Sequence, residues 1–275
     1  MEKIQQLLTR VDVLPLSPAL LPKLLPALSD VDTNFDEVVQ IIALDPALTA
    51  KLLQICNSAF FGMENPVSSV AEAVNQVGYQ SVYLLVAMIN GSNSFPTPSP
   101  PGVDAARLWR HSVSTAFNAK FVAESAGVDA NLLFTAGLLH DIGKVILGQL
   151  EPIQMAGTQR VPYSAAIAEK EQTLFHCSHA EVGATLLAGW KLPAPIVAAV
   201  RGHHDWEQAK GFEEIAACVT LGDLLAYSDD IPKVTDSEEF KKGMKFLEMS
   251  PDVLGRWREK LRRQQDLING MSKLV

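Results

Sequence analysis

Apolar residues recur three and four positions apart along most of the chain, the period of one face of an α-helix. Glu37 to Ile42, Pro46 to Cys56 and Ser68 to Val77 each carry this pattern and predict helices. Asp45-Pro46 reads as a helix start, because an Asp side chain caps orphan N–H groups and Pro sits well in the first turn. Leu48, Leu52 and Ile55 then line one face. Gly62, Asn65-Pro66 and Gly78 mark breaks. Further on, the period predicts helices at about 104–126, 130–149, 161–174, 179–190, 193–203 and 212–227. A polar region around Pro232 follows, and the charged stretch Ser250 to Met271 is helical in pattern. No run alternates as a half-buried strand does, so the fold class is all-α, with no internal repeat.

One segment interrupts the helices. Asn90 to Gly102 reads NGSNSFPTPSPPG, and Pro neither donates an N–H nor tolerates a preceding helical turn. It is either a linker between two packed helical lobes or a long surface loop within one domain. The lobe reading divides the chain into an N-terminal helical lobe (1–100), a second helical lobe (101–235) and a helical tail (236–275).

Composition narrows the function classes. The 275 residues carry a net charge of −8, which argues against a broad electrostatic grip on nucleic acid or an anionic membrane surface. Cys56, Cys177 and Cys218 are scattered and form no CxxC pair, which suits a reducing cytoplasm better than a disulfide framework. The N-terminus is not signal-like, and no uninterrupted apolar run of about 18 residues predicts a membrane span.

All six histidines lie between His111 and His204. His140-Asp141 sits in LLFTAGLLHDIGKVIL, apolar almost all round and therefore buried in expectation. A buried carboxylate must be paired, hydrogen-bonded or metal-bound. Asp141 either pairs with Lys144, three residues on, or ligates a cation. Asp223, the single charge in IAACVTLGDLLAYS, either serves a cation or sits in a turn begun at Gly222. His111 (with Leu108, Thr115 and Val122) and His179 (with Val182, Leu186 and Trp190) lie on apolar faces, as ordinary buried histidines also do. His203 and His204 point about 100° apart on a helix, which suits two neighbouring ions better than one, or else they are exposed near a helix end. His176, three residues before His179, reads as a non-ligand, because structural zinc sites need four compact ligands.

His111, His140-Asp141 and Asp223 resemble the H…HD…D signature of the HD superfamily, and LLHDIGK is similar to the form in HD-GYP phosphodiesterases and HDOD proteins. LPLSPALLPKLL (14–25), DPALTAKLLQICNSAFFG (45–62), SSVAEAVNQVGYQSV (68–82) and HAEVGATLLAGWKLP (179–193) resemble successive HDOD blocks. The resemblance covers roughly residues 14–227. It implies an all-α fold whose second lobe is an HD-type core, and a regulatory role in bacterial signal transduction. It also implies a metal site of two ions: His111, His140, Asp141 and Asp223 match a first position, and His179, His203 and His204 a second bridged by Asp141. Lys144 matches a lysine that contacts substrate phosphate. His204 is followed by Asp205-Trp206-Glu207, not a DGxGYP run, so cyclic-dinucleotide hydrolysis does not carry over.

Two ions about 3.5–4 Å apart clamp a phosphate and activate a water, so Asp141 and Lys144 are the expected catalytic residues of any turnover. Imidazole and carboxylate ligands suit Fe, Mn, Zn or Ni alike. The expected ligand is a phosphate-containing small molecule. The histidine-free first lobe is expected to meet signalling partners, with Asn57 and Ser58 fixing a break between its helices. Two functions follow: a regulatory metal-binding protein, or a metal-dependent phosphohydrolase or phosphodiesterase acting on a nucleotide or other phosphate ester.

Overall fold

A computed structural model describes residue 4 and residues 35–57, 65–78, 82, 105–150, 165–226, 231–257 and 259–262. Among these, every regular element is helical. The first lobe holds α1 (Phe35–Ala43), α2 (Pro46–Cys56) and α3 (Val70–Val77). As expected, Asp45 caps α2, its Oδ1 accepting from Leu48 N at 2.9 Å. Asn57 ends α2, and its side chain donates to Val67 O (3.1 Å) and accepts from Val67 N (2.8 Å). That pair ties the end of α2 to the approach of α3. Ser58 and the segment 90–102 lie outside the described residues.

The second lobe is built on α4 (Ala105–Ala126), which packs against α5 (Ala130–Leu139) and α10 (Glu213–Ala226). Between them in sequence run α6 (Ile142–Leu150), α7 (Ala165–Phe175), α8 (His179–Gly189), α9 (Ala194–Gly202) and a 3-10 turn, Trp206–Gln208. The expected helix 130–149 is two helices, because the chain turns at His140-Asp141 and Lys144 N bonds Asp141 O at 2.9 Å, a tightened spacing of three. The stretch Ala130–Gly148 contains no uninterrupted apolar run of the expected length, but by length and mean composition it would suffice to cross a membrane; 67% of its apolar window is buried inside the protein. Of its charged or ionisable interruptions, His140 and Asp141 are buried, and Lys144 stays partly exposed.

Two helices occupy the region read as polar: α11 (Ile231–Thr235) and α12 (Glu238–Phe246). Ser237 caps α12, and Phe240 and Met244, four apart, are buried on one face. Burial of a side chain such as Phe240 stabilises by about 1.5–3 kcal/mol. The helical turns at 253–257 and 259–262 bring Val253, Trp257 and Leu261 into the core, and Trp257 Nε1 donates to Ser125 Oγ at 3.1 Å. One continuous core joins Leu48 and Leu52 of the first lobe to Leu133, Ile146 and Leu187 of the second, so the two lobes are packed together. Gly222 is no turn: it lies within α10, where a Cβ would come within 2.6 Å of Ala119 N. The close crossing of α10 over α4 depends on that missing atom.

Candidate metal centre

Helix ends supply most of the polar groups of the second lobe's interior. His140 is the C-cap of α5 and His203 the C-cap of α9. Each turns its Nδ1 back to the carbonyl three residues earlier: His140 Nδ1 to Gly137 O at 2.7 Å, and His203 Nδ1 to Val200 O at 2.7 Å. A carbonyl only accepts, so both Nδ1 atoms carry the proton and, in the neutral rings, both Nε2 atoms present lone pairs. His179 opens α8 beneath a capping box of Ser178 and Glu181. Its Nδ1–H donates to Glu171 Oε2 at 2.6 Å, which again leaves Nε2 facing inward. Thr220 Oγ1 donates to His203 O at 2.8 Å and anchors that turn.

The inward atoms converge with two carboxylates. His111 Nε2 lies 2.8 Å from Asp223 Oδ1, 3.2 Å from His140 Nε2 and 3.5 Å from Asp141 Oδ2. His140 Nε2 lies 3.4 Å from Asp141 Oδ2 and 3.5 Å from Asp223 Oδ1. On the other side of Asp141, Oδ1 lies 3.2 Å from His179 Nε2 and 3.8 Å from His203 Nε2. His179 Nε2 in turn approaches His203 Nε2 (3.2 Å) and His204 Nε2 (3.0 Å). All seven residues expected from the sequence as metal ligands are therefore in one place, with Lys144 Nζ donating to Asp141 Oδ2 at 2.6 Å. His204 does not face solvent alone. It joins His203 around His179. The expectation that the pair would serve two ions is thus modified: His203 also groups with His140 and Asp223 and stands between the two sets.

The arrangement fits cations. Ligand atoms about 2.0–2.2 Å from one ion lie about 3–3.5 Å from each other, the spacing found here. Lone pairs of adjacent imidazoles at such distances repel unless a positive charge lies between them. Asp141 and Asp223 are each 1% exposed. Burial by itself would raise their carboxyl pKa values, but His140 beside both, and Lys144 beside Asp141, hold them well below the usual range. Burial would lower the His140 imidazolium, yet the carboxylates of Asp141 and Asp223 raise it to about 10. The position between these three groups thus demands positive charge, which a proton supplies when no metal does. Burial and the neighbouring imidazoles keep His203 neutral, and burial with His179 lowers His204 to about 3. The Asp141–Lys144 ion pair foreseen as an alternative exists, but it engages Oδ2; Asp141 Oδ1 is buried with no hydrogen-bond partner.

His176 is exposed at φ 59° and belongs to none of the three groups. Asp205 caps the 3-10 turn, accepting from Glu207 N and Gln208 Nε2. A cavity of about 530 Å3, lined in part by Arg201, His204 and Gln172, adjoins the His204 side. Sequence reasoning missed Glu171, which is fully buried. Ile167, Glu171 and Phe175 are spaced by four, so a carboxylate interrupting an apolar helical stripe was the available signal.

The family model of the HDOD domain matches residues 14–206. A protein of Treponema pallidum is 27% identical over 204 residues, covering 73% of this chain and 39% of its own length. Ribonuclease Y of Rhodopirellula baltica is 31% identical over 134 residues, covering 49% of this chain and 20% of its own. The chain thus spans well under half the length of these curated relatives. The crystal structure of the MmoQ response regulator from Methylococcus capsulatus superposes with a TM-score of 0.73 at 23% identity, covering 89% of this chain and 97% of that one. That likeness is one of fold.

Proposed function

The chain belongs to the HDOD family, and from that premise we propose that it is a regulatory signal-transduction protein whose second lobe holds two divalent metal ions. One observation carries the metal reading: the two oxygens of buried Asp141 face two different sets of imidazoles, Oδ2 towards His111 and His140, and Oδ1 towards His179 and His203. His111, His140, Asp141 and Asp223 would hold one ion. His179, His203 and His204 would hold the other, with Asp141 shared. The donor set suits Fe, Mn, Zn or Ni. The response-regulator name of the MmoQ neighbour agrees with the regulatory role. The first lobe, which carries none of these residues, is assigned the contact with a signalling partner.

A second reading is favoured by the completeness of the ligand set and by Lys144. Ions so held supply Lewis acidity towards a phosphoryl oxygen and an attacking water. Lys144, with 18% of its side chain exposed, would place an ammonium against a phosphate oxygen while its bond to Asp141 fixes its direction. Asp141 would keep the two halves of the centre in register. The ribonuclease Y relatives are named for phosphodiester cleavage, which supports a metal-dependent phosphohydrolase or phosphodiesterase. The net charge of −8 favours a small phosphate ester over RNA.

Metal stoichiometry of wild type, Asp141→Ala and Lys144→Ala, each checked for folding by circular dichroism, tests the centre. Wild type is expected to hold two ions, Asp141→Ala to lose both together, and Lys144→Ala to keep them, since an ammonium is not a ligand. Undiminished metal in all three, or none in wild type, would refute the binuclear centre. A phosphatase and phosphodiesterase panel on the loaded protein then separates the readings: turnover abolished by Lys144→Ala establishes the enzyme, and no turnover leaves the regulatory role.

A further inference from the structure

Glu171 has a geometry that the seven-ligand centre does not require for its own assembly. It lies on α7, fully buried. Its Oε2 accepts two bonds from one residue, from His179 N at 2.8 Å and His179 Nδ1 at 2.6 Å. Its Oε1 is buried with no hydrogen-bond partner, and among the described residues no Lys or Arg pairs with it. A buried carboxylate so placed costs several kcal/mol. Two hydrogen bonds do not account for the charge, because a glutamine oxygen would accept the same two.

We propose that Glu171 is a positioning residue for one ion only: through the His179 ring it strengthens Nε2 as a ligand and makes the His179–His203–His204 half of the centre the more tightly held. The inference rests on the binuclear reading above. The other two pinned histidines, His140 and His203, donate Nδ1–H to neutral carbonyls of Gly137 and Val200. Only His179 donates to a full negative charge. A carboxylate behind a ligating imidazole fixes its tautomer, raises its basicity and partly offsets the charge of the ion in front. Because α7 touches the centre through Glu171, this effect reaches the second ion and leaves the His111–His140–Asp223 half unchanged.

Cobalt(II) titration of the metal-stripped full chain, followed by visible absorption, tests this with Glu171→Gln, which keeps the shape and the acceptor and removes the charge. Wild type should bind two equivalents. In Glu171→Gln one equivalent should bind with unchanged affinity and spectrum, and the other about 10–100-fold more weakly. If the stripped variant does not fold, chelator competition on the metal-loaded protein makes the same comparison. Two ions of wild-type affinity, both ions weakened equally, or a variant unfolded even when loaded would each overturn the assignment and leave Glu171 a structural residue. The parent reading fails separately: a wild type that binds one ion, weakened by Glu171→Gln, removes the binuclear centre but keeps Glu171, whereas a wild type that binds none removes both.

Discussion

Gly143 is the position where a single methyl group should disrupt the proposed centre without replacing any of its ligand residues. It lies in the first turn of α6, two residues after Asp141, where α6 crosses α8. A Cβ there would lie 2.0 Å from His179 O, 2.8 Å from His179 C and 2.9 Å from Gly183 N. All three are backbone atoms, so no rotamer change relieves them. Moving the first contact from 2.0 Å to the 3.0 Å at which real Cβ contacts begin needs a displacement of at least 1.0 Å. Overpacking of this kind costs about 1–3 kcal/mol or more, and it is relieved only by parting α6 from α8. That motion carries Asp141 away from His179, now 3.2 Å apart, whereas metal–ligand distances tolerate only about ±0.2 Å. Gly143→Ala should therefore remain helical, unfold at lower denaturant and lose metal from the proposed His179–His203–His204 position. The assay is urea unfolding beside metal analysis, with Gly189→Ala as control, because its added Cβ meets nothing within 4 Å. Native stability and full metal content in Gly143→Ala would show that α6 and α8 do not hold the two halves together as argued.

Asn57→Ala should destabilise by about 2 kcal/mol, because the buried N–H and carbonyl of Val67 lose their partners, while metal content stays at the wild-type value; a folded variant short of metal would contradict a purely structural Asn57. Metal-stripped protein should be most stable near pH 6.5. Below that pH, the unfolded chain binds protons at His203 and His204 that the folded protein refuses, so stability falls as pH falls. Above it, the stabilisation from His140, whose folded pKa is about 10 against 6.5, is lost as pH rises. Urea midpoints at pH 4.5, 6.5 and 8.5 check this, and a midpoint at pH 4.5 equal to that at 6.5 would sink it.

This chain aims two of its buried imidazoles by a repeated device, a histidine at the end of a buried helix whose Nδ1 is held by the last turn. His140 and His203 both do this, which explains how Nε2 atoms from separate elements can be aimed without flexible loops. His111 alone among the five comes from within a long helix, α4, and it is partly exposed, as are Lys144 and His204.

Local sequence was sufficient for the helical class, for the Asp45 cap of α2 and for the burial of His140-Asp141 and Asp223. Each of these follows from side-chain periodicity or from the cost of burying charge, which a window of one or two turns already contains. The turn at His140-Asp141 was invisible to periodicity, because the apolar pattern continues through it and only the pull of the inward polar groups ends the helix there. Helices α11 and α12 were hidden by charge, since a single face of Phe240 and Met244 is enough once α10 is present to cover it. The convergence of Asp141 and Asp223, 82 positions apart, on the same two imidazoles of His111 and His140, the meeting of His203 and His204 on His179, and the burial of Glu171 behind His179 were decided by tertiary packing. They depend on how closely α4, α5, α6, α8 and α10 approach, which glycines at the crossings permit and which no local pattern encodes.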